Sequence, residues 1–216
     1  MQAQDAVVTV ENVARPTNEG DFWIFGYGSL LWRPSFPFKE RVNGYIKGYL
    51  RTFFQGSTDH RGIPGSPGRV VTLLPKDHHH TAGFSSKEGE ELVTWGAAFC
   101  VDSADREEVI SYLDYREKGG YTQSVVDVYT KEDCHKPFCK ALIYMATPDN
   151  EEYLGPATME QIADQIIKSH GPSGPNIEYL LNLAEALRSM EADDSHVFEL
   201  ERKAIELHRV AEELSR

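Results

Sequence analysis

A chain of 216 residues with 40% apolar composition suits one domain with a substantial core. A formal net charge of −12 and a pI near 5.1, without a clustered stripe of Lys and Arg, exclude a nucleic-acid backbone as partner. No apolar stretch is long enough to span a membrane.

The N-terminal residues 1–20 read as a polar lead-in. They lack the positive region followed by an apolar run that marks a secretory signal. Strands with aromatic and β-branched residues bounded by Gly and Pro are predicted over 22–27, 42–54, 69–74 and 93–101. The polar segment 76–91, with His78, His79 and His80, reads as a hairpin-loop insertion. Three consecutive histidines cannot all face one metal from a strand, so no metal site is assigned. Asp102 and Ser103 offer a cap for a helix with early acidic residues and an apolar face of Val109, Ile110 and Leu113. Two further strands are predicted over 121–130 and 140–146. Thr158 and Gln161 form a T-x-x-Q capping box before a helix with Met159, Ile162 and Ile166 on one face. Asn176 is predicted to cap a helix carrying Leu180, Leu183, Ala184 and Leu187. Ser195 starts another, with Val197, Leu200, Ala204, Leu207 and Ala211 as its stripe. Strands first and helices later predict an α+β class. Cys100, Cys134 and Cys139 read as reduced thiols of a cytosolic protein, with a Cys134–Cys139 pair as the lesser alternative.

Three stretches could carry chemistry. In WIFGYGSLLW the strand breaks at Gly26-Tyr27-Gly28-Ser29. The spacing matches neither a dinucleotide fingerprint, a phosphate loop nor a nucleophile elbow. Either its amides converge on a carboxylate or oxyanion, or the glycines form a β-bulge that bends the strand. The run Asp114-Tyr115-Arg116-Glu117-Lys118-Gly119-Gly120 ends a helix. A carboxylate there is disfavoured by the helix dipole, which suits a general base or acid; the alternative is a solvated charge cluster. In QGSTDHRG, Ser57, Asp59 and His60 lie too close in sequence for a hydrolytic triad. Arg61 is a fork for a carboxylate, unless Asp59, His60 and Arg61 only satisfy loop backbone.

FGYGSL, QGSTDHRG-x-P-x-x-PGR-V-x-TL, YLDYREKGGY, YLGPA and GPSG-x-N-x-EYL, in that order from Trp23 to Leu187, resemble the ChaC family of glutathione-specific γ-glutamylcyclotransferases. The resemblance implies a γ-glutamylcyclotransferase-like α+β fold over 21–216, centred on a small mixed β-barrel with flanking helices. It implies a carbon–nitrogen lyase that cleaves glutathione to 5-oxoproline and cysteinylglycine without metal or organic cofactor. It places the catalytic carboxylate at Glu117 and the substrate-binding turn at Gly26, Tyr27, Gly28, Ser29, Leu30 and Leu31. Ser57, Arg61 and Tyr144 become cavity candidates; Tyr144 is equally readable as a core aromatic. The partner expected is small-molecule glutathione, with no nucleic acid or membrane, in a cytoplasmic monomer or weak homodimer. Two alternatives stand beside it: turnover of other γ-glutamyl amino acids or γ-glutamylamines, and a non-catalytic γ-glutamyl peptide binding module.

Overall fold

The computed structural model describes residues 20–78, 91–116 and 121–214. Residues 1–19 of the polar lead-in, His79 and His80, Glu117 and the Gly119-Gly120 helix stop lie outside the described residues. The first strand, β1 (Phe22–Gly26), is buried at every position. Its unbroken apolar run follows from its central place in a five-stranded sheet ordered β2-β5-β1-β7-β6. Strand β1 runs antiparallel to β5 (Val93–Val101) and parallel to β7 (Cys139–Ala146), meeting the latter at Ile24 and Leu142. Strands β2 (Glu40–Lys47) and β6 (Tyr121–Val128) form the edges.

The single strand predicted over 42–54 is two strands. The chain turns at Gly48, whose φ of +80° is left-handed backbone that glycine adopts without penalty. Beyond it, β3 (Tyr49–Ser57) pairs with β4 (Gly68–Pro75) in a separate hairpin, with one isolated bridge from Gln55 to Tyr153. The hairpin lies over the sheet, tied by the Thr72 hydroxyl to the Ala146 carbonyl and by the Thr94 hydroxyl to the Tyr49 carbonyl. One extra residue of β3 bulges between Thr52 and Gln55. This frees the Phe53 carbonyl for the Arg69 guanidinium and the Phe54 carbonyl for the amides of Leu154 and Gly155.

The expected barrel is not closed. The edge strands meet at one bridge, where Tyr45 and Tyr129 exchange two backbone hydrogen bonds of 2.8 Å. No ladder continues from it among the described residues, because β3 and β4 pair apart from the sheet. The strands on either side of the segment 76–91, β4 and β5, belong to different sheets, and residues 79–90 lie outside the described residues.

Asp102 caps a 3-10 turn, Ser103–Asp105, that leads into α1 (Arg106–Arg116), with Val109 and Leu113 buried. The capping box forms as read: Thr158 accepts from the Gln161 amide and Gln161 accepts from the Thr158 amide, opening α2 (Met159–Lys168). Asn176 does not cap. It is the first residue of α3 (Asn176–Ser189) and is fully buried. Its side chain accepts from the Arg69 amide at 2.6 Å and donates to the Arg69 carbonyl at 2.8 Å, so its hydrogen-bonding capacity goes to β4 instead of the helix end. Helices α2 and α3 pack against β4, and α4 (Ser195–Leu214) lies across both. None of the three cysteines forms a disulfide.

One buried cation ties the layers together. Arg51, on β3, is 1% exposed. Its Nε donates to the Tyr27 carbonyl at 3.0 Å, one terminal nitrogen pairs with Asp194 at 2.5 Å, and the other reaches the Trp95 carbonyl. The second oxygen of Asp194 accepts from the Val197 amide and so caps α4.

His196, two residues beyond this ion pair, lies buried against Phe53 and accepts from the Phe53 amide. Burial lowers its pKa, partly offset by Asp194, while Arg51 lowers it further. The unfolded chain therefore takes up a proton near pH 6.5 that the folded chain resists. This contribution to stability is complete above that pH and is lost as the pH falls below it. Thermal melts between pH 7 and 5 should show Tm falling with pH. His196→Gln keeps an acceptor for the Phe53 amide, and its dependence should be shallower by up to one proton, about 1.4 kcal/mol per pH unit. Parallel curves for the two proteins would contradict this.

Candidate functional site

Strand β1 ends at Gly26, and the chain enters a 3-10 turn at Ser29–Leu31. The Gly-Tyr-Gly-Ser stretch is therefore a strand end followed by a tight turn, and the β-bulge reading is set aside. Both glycines are required by close approach. A Cβ on Gly26 would lie 2.7 Å from Leu30 Cβ, and one on Gly28 would lie 2.9 Å from the Tyr179 hydroxyl and 3.1 Å from Val71. The Leu31 amide closes the turn on the Gly28 carbonyl at 3.0 Å, and the Arg33 amide donates to the Ser29 carbonyl at 2.9 Å. The amides of Ser29 and Leu30, at the start of the turn, have no acceptor within it. Leu31 is buried, whereas Gly28, Ser29 and Leu30 are only partly so. The turn thus offers main-chain donors at a partly open surface.

A hydrogen-bonded chain runs from this turn to the end of α1. The Tyr27 hydroxyl donates to the Tyr144 carbonyl at 2.9 Å. The Tyr144 hydroxyl donates to Asp114 at 2.7 Å, and Gln123 donates to the same carboxylate oxygen at 2.7 Å. Tyr144 is both core aromatic and site neighbour: its ring is buried in β7 while its hydroxyl reaches α1. Asp114, a rival of Glu117 by sequence position, is held by these two donors. Glu107, in the first turn of α1, lies roughly 14 Å of helix rise from Arg116.

Arg116, the last described residue before Glu117, donates to the Ser29 hydroxyl and, at 3.5 Å, to the Tyr112 hydroxyl. Burial alone would raise the Tyr112 pKa. The Ser35 hydroxyl and the Arg116 and Arg33 charges outweigh it and hold the phenol below its ordinary value. Two guanidinium groups, those of Arg116 and Arg33, therefore stand close to Tyr112 beside the turn, although the chain as a whole is acidic.

Ser57 and Arg61 form a second group. The Ser57 hydroxyl accepts from the Arg61 amide at 3.1 Å. The Arg61 guanidinium donates to the Pro175 carbonyl at 2.9 Å and pairs with Glu178 at 3.2 Å. Asp59 and His60 are exposed, and the His60 ring faces Ser173 at 3.4 Å. The two groups communicate through α3, where Glu178 holds Arg61 and the next residue, Tyr179, touches Gly28. Among the described residues the hydrogen bonds of the Arg61 side chain go to α3 and the residue before it, not to the turn.

Sequence reasoning missed Arg51 and Tyr179. A charge inside the apolar strand LRTFF was a legible signal for Arg51, because a strand buried on both faces carries a cation only when acceptors await it. Tyr179 gave no such signal, since an aromatic on an amphipathic helix reads as core. Among the described residues no cluster of three or more His, Cys, Asp or Glu could hold a metal, and no helix is long and apolar enough to cross a membrane.

The family model described as ChaC-like protein matches residues 22–207. A zebrafish (Danio rerio) relative named glutathione-specific γ-glutamylcyclotransferase 1 is 46% identical over 187 residues, covering 85% of this chain and 88% of its own. The human protein of that name is 44% identical, covering 84% and 79%. An Arabidopsis thaliana relative, γ-glutamylcyclotransferase 2-3, is 42% identical, covering 89% and 92%. Among solved structures, a yeast γ-glutamyl cyclotransferase described as specific to glutathione superposes with a TM-score of 0.78 at 32% identity, over 87% of this chain and 96% of that one. With the motifs around the turn and α1 in one continuous match that takes in nearly every described element, the chain belongs to the ChaC family and has the γ-glutamylcyclotransferase-like fold.

Proposed function

We propose that this protein degrades reduced glutathione by cyclising its γ-glutamyl group, releasing 5-oxoproline and cysteinylglycine. The observation that carries the reading is the anchoring of Arg116 on the Ser29 hydroxyl, which holds the end of α1 against the turn of main-chain donors. The names of the zebrafish, human and yeast relatives support the substrate.

The reaction suits a site without a nucleophilic serine or cysteine. The α-amine of a γ-glutamyl peptide reaches its own γ-carbonyl and closes a five-membered lactam. Attacking and attacked atoms belong to one molecule, so holding the folded rotamer recovers much of the orientational advantage of intramolecular reactions. What remains is proton traffic. The amine arrives largely as an ammonium ion and must lose a proton before it attacks, and the departing cysteine nitrogen must gain one. A single carboxylate serves both steps, and the reading assigns them to Glu117. The amides of the 27–30 stretch receive the α-carboxylate, the oxyanion forming at the γ-carbon, or both. The guanidinium groups of Arg116 and Arg33 favour an anionic substrate. Arg61, engaged with Pro175 and Glu178, is assigned to holding α3 and thereby Tyr179 against Gly28.

Purified protein incubated with reduced glutathione should release 5-oxoproline and cysteinylglycine in equal amounts. A panel of other γ-glutamyl amino acids and γ-glutamylamines should react more slowly; equal rates across the panel would point to the broader cyclotransferase. Glu117→Gln keeps shape but cannot take the ammonium proton. Turnover should fall by about 10²–10⁴-fold with an unchanged melt, and near-parental rates would remove Glu117 from the mechanism. Gly28→Ala pushes a methyl group against the Tyr179 hydroxyl. Displacing the turn by a fraction of an ångström to 1 Å should lower kcat/KM by up to the order of 10²-fold. Adding Tyr179→Phe, which removes the clashing oxygen, should recover part of that loss. Kinetics of Gly28→Ala indistinguishable from the parent would refute the turn's role.

A further inference from the structure

The proposed reaction leaves Arg51, the least exposed cation among the described residues, without a part. We infer that Arg51 is a positioning residue: it locks the Tyr27–Gly28 peptide so that the Gly28 N–H faces the substrate. This rests on the cyclotransferase reading for its chemistry, and on the peptide geometry independently of it.

In a trans peptide the C=O and the following N–H lie in one plane and point in opposite directions. Arg51 Nε holds the Tyr27 oxygen at 3.0 Å, directed into the protein towards β3. The Gly28 N–H of that same peptide is therefore directed away from Arg51. Gly28 is partly exposed, and among the described residues its N–H has no acceptor. The β1–β5 ladder ends one residue earlier, at Gly26 and Ala97, and glycine at 28 accommodates a flipped peptide readily.

The lock is itself locked. One terminal nitrogen of Arg51 pairs with Asp194, whose other oxygen caps α4, and the remaining nitrogen binds the Trp95 carbonyl of β5. All three arms end on different elements, which leaves the guanidinium plane no second setting. Buried ion pairs commonly add little stability over apolar side chains of similar volume. What the guanidinium supplies here, and an apolar side chain does not, is a fixed direction for one carbonyl and hence for the amide behind it.

The test separates position from stability. Arg51→Met combined with Asp194→Asn removes both charges and keeps an oxygen to cap α4. This double variant is expected to fold with a lowered Tm, because the Tyr27 and Trp95 carbonyls lose their donor, and turnover and amide signals are read well below that Tm. Its kcat/KM for 5-oxoproline release from glutathione should fall on the order of 10²-fold, the scale for loss of one oxyanion donor. In 15N-labelled, ligand-free protein the Gly28 amide should give one sharp signal in the parent and a broadened or doubled one in the variant. Parental turnover together with a single sharp Gly28 signal in the variant overturns the inference. Should the parent itself turn over no γ-glutamyl compound, the cyclotransferase reading falls, while the Gly28 signals still decide whether Arg51 sets the peptide. Should the double variant not fold, Arg51→Lys decides. Its unforked donor is expected to broaden the Gly28 signal and reduce turnover about tenfold, and parental values of both overturn the inference.

Discussion

The hydrogen bond from Arg51 to the Tyr27 carbonyl is the constraint on which the rest of the site depends. It falls where the central strand runs out of partners and the chain must leave the sheet in a defined direction. An unpaired carbonyl buried there would cost about as much as the hydrogen bond it lacks. A charged fork removes that cost and transmits the position of the turn to β5 and to the start of α4. The arrangement is unforgiving, since removing one partner of a buried ion pair typically costs about 3–5 kcal/mol. The C-terminal helix is thereby tied to the turn although the described contacts place none of its side chains on it.

Around that constraint the glycines act as spacers. Gly26 lets the 3-10 turn fold back on the strand, and Gly28 lets α3 approach through the Tyr179 hydroxyl. Gly96 plays the same part on the neighbouring strand, where a Cβ would lie 2.4 Å from the Gly26 carbonyl oxygen. Three elements therefore converge on a few atoms of backbone, and each approach requires the absence of a side chain. The same economy suits the proposed chemistry. A substrate that carries its own nucleophile needs a rigid mould, a few fixed donors and one proton carrier, and main-chain amides held by packing provide rigidity at little cost in conformational entropy.

Local signals were legible in the sequence to the extent that they depend on neighbours along the chain. The capping box at Thr158 and Gln161, the Asp102 cap, the apolar stripes of α2 and α3 and the limits of β5 all follow from short-range spacing, and each appears in the structure. The motif set from FGYGSL to GPSG-x-N-x-EYL sufficed to point to the family. Readings that needed a distant partner fared differently. Asn176 looks like a helix cap because Asn before an apolar periodic run usually is one; here both its polar groups pair with Arg69, 107 residues away. The run 42–54 reads as one strand because periodicity does not register the left-handed turn at Gly48 or the bulge at Phe53 and Phe54.

By itself, then, the sequence determined the class of fold, the family and the list of residue types available for chemistry, because composition, capping and short motifs are local properties. Tertiary structure alone decided that the sheet stops short of a closed barrel, that Arg61 serves α3, that Asp114 is held by Tyr144 and Gln123, and that Arg51 grips the turn. The physical reason is the same in each case. A strand edge or a buried polar group takes whichever partner the packing brings within hydrogen-bond reach, and that partner lies too far along the chain for spacing to reveal it.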